Sequence, residues 1–233
     1  RALKHPAMFP IELPGRLIKI FLTAEKDLVF DPFVGVGSTV IAAKQLNKRG
    51  IGIELSEKYC EISRERLHQG DIFGDSSKDI QIINDDAFNM LNHVEKNSVD
   101  LCVTSPPYWD ILLEKRSADY KEQRDYGEYE NDLGKIREYN QFLVALKRIF
   151  KIVFKTLKSG AYCCIVIMDI RKKDKFYPYH SDIADFMKDI GFIYDDLIIW
   201  DRRHEYNNMR PLGYPYKFRI NKAHEYILIF IKP

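Results

Sequence analysis

Leu28-Val29-Phe30-Asp31-Pro32-Phe33-Val34-Gly35-Val36-Gly37-Ser38-Thr39 is the stretch on which the fold turns. Its first residues are a short apolar run ending in an acid, which predicts a buried strand over 28–31. Gly35 and Gly37 let the backbone turn tightly and come close to a ligand. Ser38 or Thr39 then opens a helix over 38–46, which closes near Asn47. Strand, glycine turn and helix together make the first unit of an open parallel sheet. The turn lacks the third glycine of GxGxxG and the lysine of a Walker A loop, so a phosphate cradle is not indicated. A ligand with an amino acid end and a ribose fits better.

Outward from this unit the pattern repeats. Strands are expected at 50–54, 80–84 and 99–104, with helices at 57–67 and from Ala87. Residues 110–135 are charged, rich in tyrosine and without a period, which reads as a long functional loop. Ile136, Tyr139, Phe142, Leu143, Leu146, Ile149, Phe150, Val153, Phe154 and Leu157 then recur at helical spacing, with Gly160 as the stop. A buried strand follows at 161–168, a helix around 181–188, and strands at 192–200 and 226–231. The last two are joined by a polar loop, 201–221, and so should run antiparallel. The whole chain, 1–233, reads as one α/β domain of Rossmann-like form. Its mostly parallel seven-stranded sheet ends in an antiparallel strand and carries helices on both faces.

In such a sheet ligands bind outside the carboxyl ends of the strands. Here the first strand ends at Asp31 and the glycine loop, the second at Glu54, the third at Asn84-Asp85-Asp86 and the fourth at Thr104-Ser105-Pro106-Pro107-Tyr108-Trp109. Glu54 stands where an acid bonds a ribose hydroxyl pair. The two prolines after a buried strand remove two N–H donors and leave carbonyl oxygens without local partners. With the Ser105 hydroxyl and the Tyr108 ring they form a rigid slot that accepts from an NH₂ group and stacks on a flat ring.

These segments resemble those of the amino-methyltransferases of DNA, which make N4-methylcytosine or N6-methyladenine. Asp31 to Thr39 resembles the family's DPFxGxGT/ST cofactor motif, and Ser105 to Tyr108 its (D/N/S)PPY motif. Lys4-His5-Pro6-Ala7-Met8-Phe9-Pro10 resembles KHPAxFP, and His224 to Phe230 a late HExIxxF strand. The resemblance runs from residue 4 to residue 231. It implies S-adenosylmethionine (SAM) as cofactor and DNA as partner. His5 and Pro6 would pack at the methionine end of SAM, and Phe9, Phe33, Gly35 and Gly37 would line its pocket. Ser38 and Thr39 would sit near its carboxylate. Glu54 would hold the ribose, and Asp86, or failing it Asp85, the adenine amino group. Asp31 belongs to the same cofactor set. Ser105, Pro106, Pro107 and Tyr108 would form the catalytic slot for a flipped base. Serine in the first motif position favours cytosine N4 over adenine N6.

The order of the motifs departs from the family's commonest pattern: the cofactor segment precedes SPPY, as in a circular permutation. No separate recognition domain is evident, so the loops 110–135 and 201–221 are the candidate DNA-reading segments. Trp109, Arg202, Arg203 and Arg210 are the candidate DNA contacts. A specificity subunit or a missing recognition domain would supply the rest, and a homo-oligomer remains open. Arg171-Lys172-Lys173, Lys217, Arg219 and Lys222 add to a basic C-terminal half. Lys147, Arg148, Lys151, Lys155 and Lys158 read instead as a solvated helix face.

Composition narrows the classes. Net charge is only +2, with 45% hydrophobic and 30% charged residues, as in ordinary globular proteins. No apolar run is long enough for a membrane span, and no signal peptide follows Arg1, so a cytoplasmic protein is expected. Cys60, Cys102, Cys163 and Cys164 read as buried thiols, and no metal site is expected. C5-cytosine methylation would need a thiolate, usually from a Pro-Cys pair, which the chain lacks. His68, His93 and His180 read as surface residues and His224 as structural. A nicotinamide oxidoreductase leaves the SPPY slot unexplained. RNA or protein-glutamine methylation fits the DPF and KHPAxFP segments less well. A catalytically silent DNA-binding subunit is the alternative from another class.

Overall fold

Helix α1 (Glu12–Phe21) precedes the first strand, although the sequence reading placed no element there. A Pro-Gly pair is commonly a turn signal, but Pro14 lies in the first turn of α1, where the missing N–H is one of the helix's orphan donors anyway. Leu17 and Ile18 bury the helix against the sheet. The computed structural model describes residues 9–69, 79–110, 132–172, 174–203, 211–212, 218–220 and 222–233.

The expected alternation follows: β1 (Leu28–Asp31), α2 (Ser38–Gln45), β2 (Arg49–Glu54), α3 (Glu57–Gln69), β3 (Ile80–Asn84), a 3₁₀ turn (Ala87–Asn92) and β4 (Val99–Thr104). A second 3₁₀ turn (Leu133–Lys135) leads to α4 (Tyr139–Thr156) and β5 (Leu157–Ile167). Two short strands, β6 (Ile170–Lys172) and β7 (Lys175–Tyr177), form an antiparallel hairpin. Then come α5 (Tyr179–Ile190), β8 (Ile193–Asp201), β9 (Pro211–Leu212), β10 (Arg219–Ile220) and β11 (His224–Ile231). The two hairpins, β6–β7 and β9–β10, were not anticipated. Strands of two or three residues are too short to show alternation.

Seven strands form one sheet in the order β3-β2-β1-β4-β5-β11-β8. The pairs from β3 to β5 are parallel, and β11 runs antiparallel to both its neighbours. The expected antiparallel strand is therefore present, but it lies inside the sheet, and β8 forms the edge. Helices α4 and α5 cover one face, over Phe30, Cys102, Cys163 and Phe230. Helices α1 and α2 cover the other, over Val29, Leu101, Val103 and Ile229.

Gly160 does not stop α4. The helix ends at Thr156, and Leu157 is already extended. Gly160, at φ +73°, makes an irregularity inside β5, where the register with β4 jumps from Val99↔Leu157 to Leu101↔Tyr162. Its N–H donates to the Lys232 carbonyl, so it shapes strand pairing inside the sheet rather than a helix end. Lys158 likewise belongs to β5 and pairs with buried Asp100 at 2.7 Å.

Candidate active site

The strand order reverses between β1 and β4, and their carboxyl ends carry the glycine loop and Ser105-Pro106-Pro107-Tyr108 side by side. Asp31 couples the two. Thr39 at the start of α2 donates to its Oδ2 at 2.7 Å, and Thr104, the residue before the slot, donates to Oδ1 at 2.6 Å. The Phe33 N–H donates to the same Oδ1 at 3.0 Å. Burial raises the Asp31 carboxyl to about 6, against the pull of these three bonds. Asp31 is 1% exposed, so it acts on the loops that surround a ligand and not on the ligand itself.

Glu54, at the end of β2, is also buried. One carboxylate oxygen accepts from the Gly35 N–H at 3.0 Å and the other from the Ser56 N–H at 2.8 Å. It therefore holds the glycine loop from the β2 side. Burial pushes its carboxyl up to about 7. Gly37 has φ +88°, and a Cβ there would lie 2.1 Å from the Ser63 Oγ of α3. Only glycine meets both conditions.

Ser38 and Thr39 are buried with their hydroxyls engaged. Ser38 donates to the Phe9 carbonyl at 2.9 Å, and Thr39 donates to Asp31. These bonds tie residue 9 and α2 to the loop, so the Ser38 and Thr39 side chains are braces. No side chain caps α2, which leaves the amides of its first turn as donors. Phe33, Gly35 and Phe9 are half-buried. His5 and Pro6 lie outside the described residues.

At the end of β3 the two acids divide. Asp85 accepts from Asn89 at 2.8 Å, from the Asp86 N–H at 2.7 Å, and faces His93 Nε2 at 2.7 Å. Those bonds hold its carboxyl below the usual range. Asp86 uses one oxygen to cap the 3₁₀ turn through the Phe88 N–H at 2.9 Å. Its other oxygen has no partner among the described residues, which suits the receiving role that the sequence assigns to Asp86 over Asp85. His93 is exposed, as expected of a surface residue, with its Nε2 facing Asp85.

In the slot, Pro106 is buried and Ser105, Pro107 and Tyr108 are half-buried. Among the described residues nothing hydrogen-bonds the Ser105 hydroxyl or the Pro106 carbonyl. The Pro107 carbonyl is taken: the Tyr179 hydroxyl donates to it at 3.0 Å. Tyr179 is fully buried, and its ring lies 6.3 Å from that of Tyr108. The sequence reading missed it, and Tyr-Pro-Tyr before a helix was the available signal. By occupying one carbonyl, Tyr179 leaves the Ser105 hydroxyl and the Pro106 carbonyl as the free acceptors.

Two expected DNA contacts are corrected. Trp109 is 4% exposed; its Nε1 donates to the Ile136 carbonyl at 2.7 Å, and it packs on Tyr139 and Tyr177. Arg202 is buried, paired with Glu225 and lying over the Trp200 ring. Both are core residues: the Trp109 indole N–H and the Arg202 guanidinium each have a partner inside the protein. Arg203 is exposed and pairs with Asp201 at 2.6 Å. Arg210 lies outside the described residues, as do most of the 110–135 and 201–221 loops.

His180, read as surface, sits 2.6 Å from buried Asp169 and stacks on Tyr226. Lys147 pairs with Asp189 at 2.9 Å, as a solvated helix face would. All four cysteines are buried, and burial pushes the Cys60 thiol up to about 11. That disfavours a nucleophilic thiolate. Among the described residues there is no cluster that would hold a metal and no helix long and apolar enough to cross a membrane.

The sequence pattern of a DNA methylase family, N6_N4_Mtase, matches residues 2–65 and 99–233. The chain belongs to that family. Its relatives include the orphan methyltransferase M.BamHII of Bacillus amyloliquefaciens, 46% identical over 28% of this chain and 24% of its own. The type II methyltransferase M.MjaI of Methanocaldococcus jannaschii is 31% identical over 69% of this chain and 54% of its own. The chain thus spans from about a quarter to about half the length of these curated relatives. A SAM-dependent methyltransferase from Methanosarcina mazei matches in fold, with a TM-score of 0.59 over 93% of this chain and 96% of its own, at 14% identity. The residues present fit SAM, the methyl donor that the sequence motifs imply: a glycine loop beside an uncapped helix, a buried acid at the second strand end and, at the third, an Asp86 carboxylate oxygen without a partner among the described residues.

Proposed function

We propose that the chain transfers a methyl group from SAM to the exocyclic amino group of a DNA base, cytosine N4 in the first instance. The observation that carries this reading is the pair of bonds at Asp31, which hold the cofactor loop and the SPPY slot against each other. Bound SAM supplies an electrophilic methyl group on a positively charged sulfur. The first-turn amides of α2 would receive its carboxylate, Glu54 its ribose hydroxyls and Asp86 its adenine amino group. Gly35 and Gly37 would leave room for its backbone-like end.

An exocyclic amino group is a poor nucleophile because its lone pair is delocalised into the ring. The Ser105 hydroxyl and the Pro106 carbonyl accept one N–H each and so favour a pyramidal nitrogen with a localised pair. Preorganised acceptors of this kind need no rearrangement during the reaction. With SAM bound, these acceptors would aim the nitrogen lone pair at the methyl carbon; the carbon–sulfur bond would break to leave a neutral thioether, and the one proton the nitrogen sheds would pass to water. Tyr108 stacks on the base, which must leave the duplex to enter the slot.

Serine at position 105 favours cytosine N4, and adenine N6 in the same slot is the alternative. A silent DNA-docking subunit is disfavoured by the intact acids at three strand ends. The test is incubation with SAM and mixed-sequence unmethylated DNA, then mass spectrometry of the digested nucleosides. N4-methylcytosine is expected. N6-methyladenine would keep the mechanism and change the base, and SAM binding without any methylated nucleoside would sink the DNA reading. Tyr108→Ala should lose about 100-fold or more in activity while still binding SAM.

A further inference from the structure

The β6–β7 hairpin and its neighbour β10 gather positive charge. Arg171, Lys172, Lys175, Arg219 and Lys222 stand there against one exposed acid, Asp174, in a chain whose net charge is +2. Asp174 pairs with Arg219 at 3.1 Å. The hairpin is anchored to the slot. Lys172 pairs with Asp110, its ammonium lies 4.5 Å over the Trp109 ring, and the Tyr177 ring is 5.1 Å from Trp109. Trp109 follows Tyr108 directly, so the hairpin packs against the residue next to the slot.

The outward side of the hairpin is unusual. Phe176 is 41% exposed. Its ring is flanked by cations and not by apolar neighbours alone: the Arg171 guanidinium lies 5.3 Å from the centroid and the Lys222 ammonium 4.6 Å. Lys222 is half-buried, donates to the Asp169 carbonyl at 2.7 Å, and is lowered to about 8 by that burial. On β10, Ile220 is 65% exposed. An exposed ring with cations over it, on a hairpin packed against the residue that follows the slot, has a natural complement. It is a negatively charged backbone beside flat, stacked rings.

We propose that the β6–β7 hairpin meets the DNA duplex next to the target base, with Arg171 and Lys175 on phosphates and Phe176 against the base stack opened by flipping. This rests on the DNA reading above. It gives the chain a duplex contact within its described residues and assigns a use to cations that the slot chemistry leaves idle. Phe176 stands where a wedge would fill or hold open the gap left by the departed base. Lys172, committed to Asp110 and Trp109, is a tether for the hairpin.

The test uses the full chain and a fluorescein-labelled duplex of mixed sequence, with anisotropy read across a salt series. The double variant R171Q/K175Q should bind about tenfold more weakly, and its slope of log affinity on log salt should be shallower by about 2, one for each phosphate released. F176A should lose about tenfold more methylation on duplex than on single-stranded DNA, whose bases are already unstacked. SAM affinity, measured by calorimetry, separates a contact from a brace: its loss in these variants would make the hairpin structural and overturn the proposal. A wild-type salt slope in the double variant, or an unchanged duplex-to-single-strand ratio in F176A, would overturn it as well. Failure of the unmutated chain to bind or methylate any DNA would instead refute the underlying reading.

Discussion

Tyr179 and Glu54 show how single side chains set the site without being its chemistry. The Tyr179 hydroxyl occupies the Pro107 carbonyl, so Tyr179 is a positioning residue for the slot. Tyr179→Phe should cost about 1 kcal/mol of stability. It should also lower kcat about tenfold with little change in the KM for SAM, because a loosened slot misplaces the base and not the donor. Steady-state kinetics with both substrates varied checks the split. Glu54 makes a pH-dependent prediction. Its folded carboxyl, near 7, lies above its ordinary 4.5. The folded chain therefore holds an extra proton between those values, and this stabilising contribution is full below 4.5 and lost as pH rises through 7. In the proposed role ribose hydroxyls would donate to the charged form, so SAM affinity should increase as pH rises through 7. Glu54→Gln should bind about tenfold or more weakly and lose most of that dependence, as titration calorimetry would show. The sequence marked Glu54 by its place at a strand end. It did not mark Tyr179, whose role depends on a carbonyl 72 positions away in the chain.

At the scale of elements, the glycine loop is legible in the chain because it is local. Strand, turn and helix follow one another within residues 28–45, and each step has its own residue type. What the local reading left out is the pressure from α3. Gly37→Ala would place a Cβ against Ser63 on a backbone at φ +88°, at a cost of about 1–3 kcal/mol. Its SAM affinity should fall with its melting temperature, since the loop must open to accommodate the methyl group. Calorimetry and thermal melts on the same sample test this, and an unchanged affinity would show that the loop is not the cofactor cradle. Helix α1 and the two hairpins escaped the sequence reading for different reasons. The first hides behind Pro14-Gly15, and the others are too short to carry a period. Gly160 misled because a glycine after a helical run is a common stop, whereas here it serves a register jump in β5.

Across the whole molecule, the two ends of the sheet have different work. The carboxyl ends of β1 and β4 hold Asp31 and Thr104 beneath the loops. The opposite end holds Asp100, 2% exposed, which accepts from the N–H groups of Asp27 and Leu28 at 3.1 Å each and from Lys158 at 2.7 Å. Asp100→Ala would leave buried donors unmatched, at about 2–4 kcal/mol. The melting temperature should drop by about 4–15 °C. SAM affinity and turnover at low temperature should stay close to wild type, since among the described residues no loop of the site touches that end. A drop in turnover without a drop in melting temperature would contradict this division.

By itself the sequence determined the class of fold, the strands whose ends converge, and the two motifs that meet there, because periodicity and turn chemistry act over neighbouring residues. It also settled the absence of a Pro-Cys nucleophile. Only the tertiary structure decided which polar groups face a ligand and which face one another. Asp31, Ser38, Thr39, Asp85, Trp109 and Arg202 all carry functional-looking chemistry, yet their groups are engaged by partners inside the protein. Asp86, Ser105 and the Pro106 carbonyl keep acceptors to offer. A buried polar atom must be satisfied by whatever the fold brings near it, and that neighbour is seldom close in the chain.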